Sequence, residues 1–281
     1  MRWIGGRTER ALDGAAAYAL LILPAVLLGV LAMAMGGVSP VLWGQQVTAW
    51  VAFALLAQLL RRIAGRIPAA AWSALFLLLL VASLFGESVE GARRWVNLGV
   101  FHANAAMLVI PALLVVLGRM KYPCPVALLA AVVLCIQPDL SQLTAFSAAA
   151  LVILWRQEKK WLWGSLIILG VLVIRCLRVP VTIEPVSYCE GILAMLAETS
   201  WMLQAAGYAA LAAIPAFGAY RFCKRGEIQM LSAAVYYAAC MLFAFSGGYP
   251  VPFMGFGLSP IAGYWLAYIC GAVGVQQKES D

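Results

Sequence analysis

An all-α polytopic membrane protein is what this sequence predicts, and three observations predict it. Hydrophobic residues make up 64% of the 281 and charged residues only 11%, with a mean hydropathy of +0.93. Apolar stretches follow one another from end to end, most of them near the about 20 residues that cross a hydrocarbon core of roughly 30 Å. Lysine and arginine collect in alternate loops, the asymmetry that sets orientation in a membrane.

The first stretch, Ala15 to Met35, contains Ala32-Met33-Ala34, which looks like a signal-peptidase site. It is longer than a signal core and has acids at its start, so it reads as a retained anchor. Val41 to Leu60 and Ala69 to Phe85 follow, separated by Arg61, Arg62 and Arg66. Val100 to Leu117 comes next, after a polar island at Gly91 to Gly99. Pro125 to Ile136 is too short to span alone, so it either continues through Pro138 or is re-entrant. Leu140 to Trp155, Trp161 to Ile174, Ile192 to Ile214, Ile228 to Phe245 and Leu258 to Val275 complete about ten helices. Residues 1–281 read as a single transmembrane domain without an internal repeat.

With ten helices and the N-terminus inside, every Lys and Arg except Arg93, Arg94, Arg175 and Arg178 falls on the inner side, while the 12 acids divide evenly. Both termini are therefore expected in the cytoplasm. The net charge of +7 is spread over several loops and tails, which suits a solvated face toward anionic lipid and not a nucleic-acid partner. Seven cysteines include no C-x-x-C pair and read as small hydrophobes in helices. His102 is the single histidine, which excludes a multi-histidine metal site; it reads as a satisfied residue at a helix start, and no metal ligands are predicted.

The outer loops taken together hold Glu87, Glu90, Arg93, Arg94 and Trp95, then Gln137-Pro138-Asp139, then Arg175, Arg178, Glu184 and Glu190, and last the apolar, Gly- and Pro-rich segment Gly247 to Gly257. Ionisable groups at the membrane are costly and tend to line a polar cavity or pair with one another. Both signs of charge at the outer leaflet suit an anionic, sugar-bearing lipid. Asp139 follows a proline, so its carboxylate is placed to cap the next helix at Gln142 while also facing the cavity. Gly248, Pro250, Pro252, Phe253 and Ser259 belong to a rigid turn near the surface that supports the cavity. Glu198 falls inside a predicted helix, where it needs a partner.

Three of these segments carry a resemblance. Gly91-Ala92-Arg93-Arg94-Trp95-Val96-Asn97-Leu98-Gly99 resembles the G-A-x-R-W-I-x-L-G signature of the SEDS proteins, the FtsW/RodA/SpoVE family of bacterial division, elongation and sporulation. Gln137-Pro138-Asp139-Leu140 resembles that family's Q-P-D-L-G-T, and Gly248 to Ser259 resembles its G-I-P-L-P-F-I-S-Y-G-G-S turn, all in family order. In a fourth, looser match, counting back from Ala197-Glu198 puts Glu190 where the family has an essential aspartate. The chain departs at Phe101 to Met107, where the family has Q-P-S-E and a lysine, at Ser141-Gln142 in place of Gly-Thr, and in a shortened loop from Arg175 to Cys189. It looks like a short, divergent member.

The resemblance implies a peptidoglycan glycosyltransferase that joins lipid II units, the undecaprenyl-pyrophosphate-linked disaccharide precursor, at the outer face of the bacterial cytoplasmic membrane. Glu190 is then the candidate general base, with Asp139 next in line. Arg93 and Arg94 would hold the pyrophosphate through planar guanidinium forks, or else pair with Glu87 and Glu90 in a solvated loop. Trp95 would stack on a sugar or anchor the interface. No cofactor is required, although a divalent cation at the pyrophosphate is compatible. Expected partners are lipid II, membrane lipids and a class B penicillin-binding transpeptidase. Two rival readings share the same cavity: a lipid II flippase, and a catalytically inactive scaffold for the transpeptidase.

Overall fold

The computed structural model describes residues 14–97, 99, 102–179, 181 and 184–271, apart from the side chain of Arg62. The expected cytoplasmic termini, with Arg2, Arg7, Arg10 and Lys278, lie outside the described residues, as do Leu98 and Phe101 of the family-like segments. Eleven helices and one hairpin account for the regular structure of the described residues. They are α1 Ala15–Met35, α2 Pro40–Ala64, α3 Ala69–Ser83, β1 Trp95–Asn97, β2 His102–Asn104, α4 Ala105–Leu117 and α5 Cys124–Ile136. Then follow α6 Leu140–Gln157, α7 Lys159–Leu177, α8 Ile192–Thr199, α9 Trp201–Arg225, α10 Ile228–Phe245 and α11 Leu258–Gly271.

The extra helix comes from the stretch Ile192 to Ile214, which hydropathy reads as one span. Ser200 is extended there (φ −166°, ψ 133°), and its hydroxyl accepts the Met202 amide to start α9 afresh. Glu198 consequently sits in the exposed last turn of the short α8 and needs no partner. The stretch from Val100 also begins differently. His102–Asn104 is a strand, and α4 starts only where the Asn104 side chain accepts the Met107 amide at 3.0 Å. His102 is thus an exposed strand residue, not a helix start, with Nε2 3.5 Å from Oε2 of Glu87. The helix α5 ends at Ile136 and does not run on through Pro138.

Among the described residues, five helices are long and apolar enough to cross a membrane: α1, the Pro40–Arg61 part of α2, α7, α9 and α10. By contrast α3, α4 and α5 have 15, 13 and 13 residues. At 1.5 Å per residue each covers roughly 20 Å, short of a hydrocarbon core of about 30 Å. The short α4 is also the most enclosed, buried at every position but Leu108 and packed chiefly on α11, with α3, α10 and α6 around it. Longer α2, α7 and α10 turn large apolar side chains such as Leu59, Trp163, Ile167 and Leu242 outward, as lipid-facing helices do.

Successive helices run back and forth between two ends. At one end Glu158 accepts the Cys124 amide at 2.8 Å, Arg221 pairs with Glu227 at 2.8 Å, and Arg119 reaches the Cys270 carbonyl at 2.6 Å. The other end carries the hairpin, the α5–α6 corner, the segment before α8 and the α10–α11 turn. Cys124, Cys135, Cys176, Cys240 and Cys270 are buried in helices, whereas Cys189 lies in a loop and Cys223 is exposed; none of them forms a disulfide.

Candidate active site

At the hairpin end, the polar island folds because its glycines fall where the chain must reverse. Glu90 and Gly91 have φ of +48° and +85°, and this left-handed pair closes a tight turn in which Val89 and Ala92 exchange backbone hydrogen bonds at 3.0 and 2.9 Å. Trp95 then pairs with Asn104, and Asn97 with His102. At the tip the Asn97 side chain accepts the amide of Gly99, whose φ is +84°. Just before β1, Arg93 and Arg94 meet different neighbours.

Arg94 turns inward. Its Nη2 donates to the Pro138 carbonyl at 2.5 Å and its Nε lies 3.5 Å from Oδ2 of Asp139, with the two side chains 17% and 2% exposed. Asp139 caps α6 as its sequence suggests: Oδ1 accepts the Gln142 amide at 3.2 Å and the Ser141 hydroxyl at 3.0 Å. Arg93, in contrast, is exposed and donates to the Leu84 carbonyl at the end of α3 at 3.1 Å. Trp95 is half-buried on β1.

One turn into α6, Gln142 is fully buried. Its Nε2 donates to the Tyr249 hydroxyl, and its Oε1 accepts from Tyr236 at 2.8 Å. Tyr249 lies in the segment between α10 and α11, whose Gly and Pro content suggests a turn near the surface; past its exposed start this segment is packed inside the protein. Tyr249 and Val251 to Gly255 are buried, although Gly248 is exposed and Pro250 half-buried. Non-helical backbone at such depth must find partners inside the protein. Gln46 of α2 supplies them, donating to the Phe253 and Met254 carbonyls at 2.8 and 3.2 Å. On α1, Gly29 leaves the room: a Cβ there would fall on the Met254 carbonyl. Phe253 takes a left-handed φ of +65°, and Ser259 in the first turn of α11 accepts the Asn104 amide at 2.9 Å.

The buried segment also grips the chain before α8. Val251 donates to the Cys189 carbonyl at 3.2 Å, Phe256 donates to the Tyr188 carbonyl at 2.9 Å, and Gly255 presses on Cys189 where a Cβ would clash. Burial, and secondarily the neighbouring Glu190 charge, push the Cys189 thiol up to about 12. Glu190 closes its own turn, with Oε2 accepting the Val186 amide at 2.8 Å. It is half-buried and pairs with no cation among the described residues. Of the predicted site residues, then, Arg94 and Asp139 meet directly, and Glu190 joins them through the buried turn. Arg93 and Trp95 stand at the rim, Ser259 ties the hairpin to α11, and Glu184 is exposed.

Sequence reasoning does not single out Gln142, Tyr236 or Gln46. The available signal was a glutamine inside an apolar stretch, which in a membrane must find a partner. Among the described residues, no group of three or more His, Cys, Asp or Glu side chains could hold a metal ion.

No family model matches the chain, and no curated protein does. Solved structures do. The rod shape determining protein RodA of Thermus thermophilus superposes with a TM-score of 0.66 at 21% identity, over 94% of this chain and 97% of that one. An aspartate-to-alanine variant of that RodA gives 0.61 at 18%, over 94% and 98%. A chain from a peptidoglycan synthase complex, characterised for its structural coordination of polymerization and crosslinking, gives 0.62 at 18%, over 93% and 97%. Over nearly its whole length, this chain has the all-helical membrane fold of RodA.

Proposed function

We propose that the protein is a SEDS-type peptidoglycan glycosyltransferase acting on lipid II at the outer face of the bacterial cytoplasmic membrane. The observation that carries this reading is the convergence of all four family-like segments at one end of a RodA-like bundle, tied together around one buried turn. In the reaction the acceptor hydroxyl attacks the anomeric carbon, the bond to the lipid pyrophosphate breaks, and a base takes the hydroxyl proton. Glu190 is the base in this scheme, since its carboxylate is unpaired by any described cation and retains a second oxygen beyond the one held by Val186. Exposed Arg93 receives the pyrophosphate, with Arg94 fixing the floor of the site through Asp139 and Trp95 set to stack on a sugar. A class B penicillin-binding transpeptidase is the partner this reading calls for.

The test is glycan-strand formation by purified protein supplied with lipid II, alone and with co-expressed transpeptidase. Glu190→Gln removes basicity and little else, so polymerisation should fall about a hundredfold or more. Equal activity in that variant moves the base to Asp139. A wild type that fails to polymerise, alone or with any transpeptidase, leaves the flippase and the scaffold as the surviving readings.

A further inference from the structure

The two carboxylates proposed for the reaction, Asp139 and Glu190, lie on separate parts of the chain, and a single buried side chain connects their supports. Asp139 caps α6, and its Oδ1 accepts the amide of Gln142 itself. The Gln142 carboxamide then bridges two phenols from other elements, accepting from Tyr236 on α10 and donating to Tyr249 in the buried turn. Two residues on, Val251 donates to the Cys189 carbonyl, next to Glu190. Gln142, Tyr236 and Tyr249 are 0%, 2% and 4% exposed. A carboxamide has one donating and one accepting end, and a phenol can do either, so one Gln142 side chain holds both tyrosines at once. In a buried setting, loss of either bond leaves a polar group stranded, which makes the geometry far stiffer than apolar packing would.

We propose that Gln142 is a positioning residue: by locking Tyr249 to the first turn of α6, it sets the placement of Glu190 relative to Asp139. In its catalytic part this rests on the polymerase reading. In its mechanical part it does not.

The experiment uses full-length protein in detergent or proteoliposomes with lipid II. Gln142→Met keeps the length and removes both bonds. It should lower kcat about tenfold or more while KM for lipid II stays within about twofold, because misplacement of a catalytic group is read in kcat. In this buried position Gln142→Glu carries a protonated carboxyl, which again donates once and accepts once, and should restore most of the rate. Tyr249→Phe should reproduce the loss, and adding it to Gln142→Met should cost little more, the mark of residues in one network. A second readout needs no catalysis: peptide-resolved alkylation of Cys189, slow in the wild type because the thiol is raised to about 12 and held to the Phe256 carbonyl. Releasing the turn in either variant should speed it about fivefold or more. Unchanged alkylation overturns the link. Faster alkylation with kcat intact, or a loss shared equally by KM without rescue by Glu, overturns the assignment to the reaction. A wild type that never polymerises sinks the polymerase reading, while the alkylation result still decides whether Gln142 holds the turn.

Discussion

Arg94 and Asp139 form a largely buried ion pair, and such pairs matter most when one member is removed. Leaving a charge uncompensated in this setting costs about 3–5 kcal/mol. Arg94→Ala should therefore lower the melting temperature in detergent markedly, whereas Arg178→Ala, at the exposed end of α7, should leave it almost unchanged. Arg94→Lys retains the charge but cannot hold the Pro138 carbonyl and Asp139 with one planar fork. We expect it to bind or turn over lipid II clearly less well than wild type. Equal turnover would return Arg94 to a passive loop role. Part of this was legible in the sequence: a proline followed by aspartate at a helix start predicts the cap at Gln142, and the cap is there. That Arg94 is the partner was not, because the residues it holds lie 44 and 45 positions away and no periodicity links a hairpin to a distant helix corner.

The α10–α11 turn is the element on which the others depend. Its carbonyls at Phe253 and Met254 face the Gln46 amide across the interior, and each buried polar group left unmatched costs about 1–3 kcal/mol. Gln46→Leu should thus destabilise the fold by a few degrees or more in a detergent melt. Gly29→Val, which places side-chain atoms on the Met254 carbonyl, should prevent accumulation of folded protein, as size-exclusion profiles would reveal. The Gly and Pro content of the turn announces a break in helix but not its depth, which is decided by Gly29 and Gln46 more than 200 residues earlier. Hydropathy misses two further features for related reasons. Three-residue strands such as His102–Asn104 carry too little pattern to register, and a lone serine at position 200 divides an apolar run through one hydroxyl that composition does not weigh.

Among the described residues, the long helices α1, α2, α7 and α9 turn most of their length outward, whereas the 13-residue α4 is enclosed at the centre. A short helix leaves part of its path to non-helical chain, and here that remainder is the hairpin before α4 and the α5–α6 corner after α5. Apolar stretches made the order of helices legible, because hydropathy is additive along the chain. The ends of the short helices were not, because they are set by caps and contacts. The orientation expected from charge can be checked by impermeant thiol labelling in a background lacking Cys223. Arg62→Cys and Lys224→Cys should react only from the cytoplasmic side, and Gly248→Cys only from outside. The reverse pattern would place the entire site on the wrong face for lipid II.

Gln46 also sets a timetable for biogenesis. The carbonyls that satisfy its amide are encoded 207 and 208 residues downstream. At about 5–20 residues per second, they leave the ribosome roughly 10–40 s after it does. Through that interval the Gln46 amide is without the two carbonyls that it meets in the folded protein. A chain halted after Phe245 would never supply them, so the second helix of the bundle is completed only by chain from near its far end.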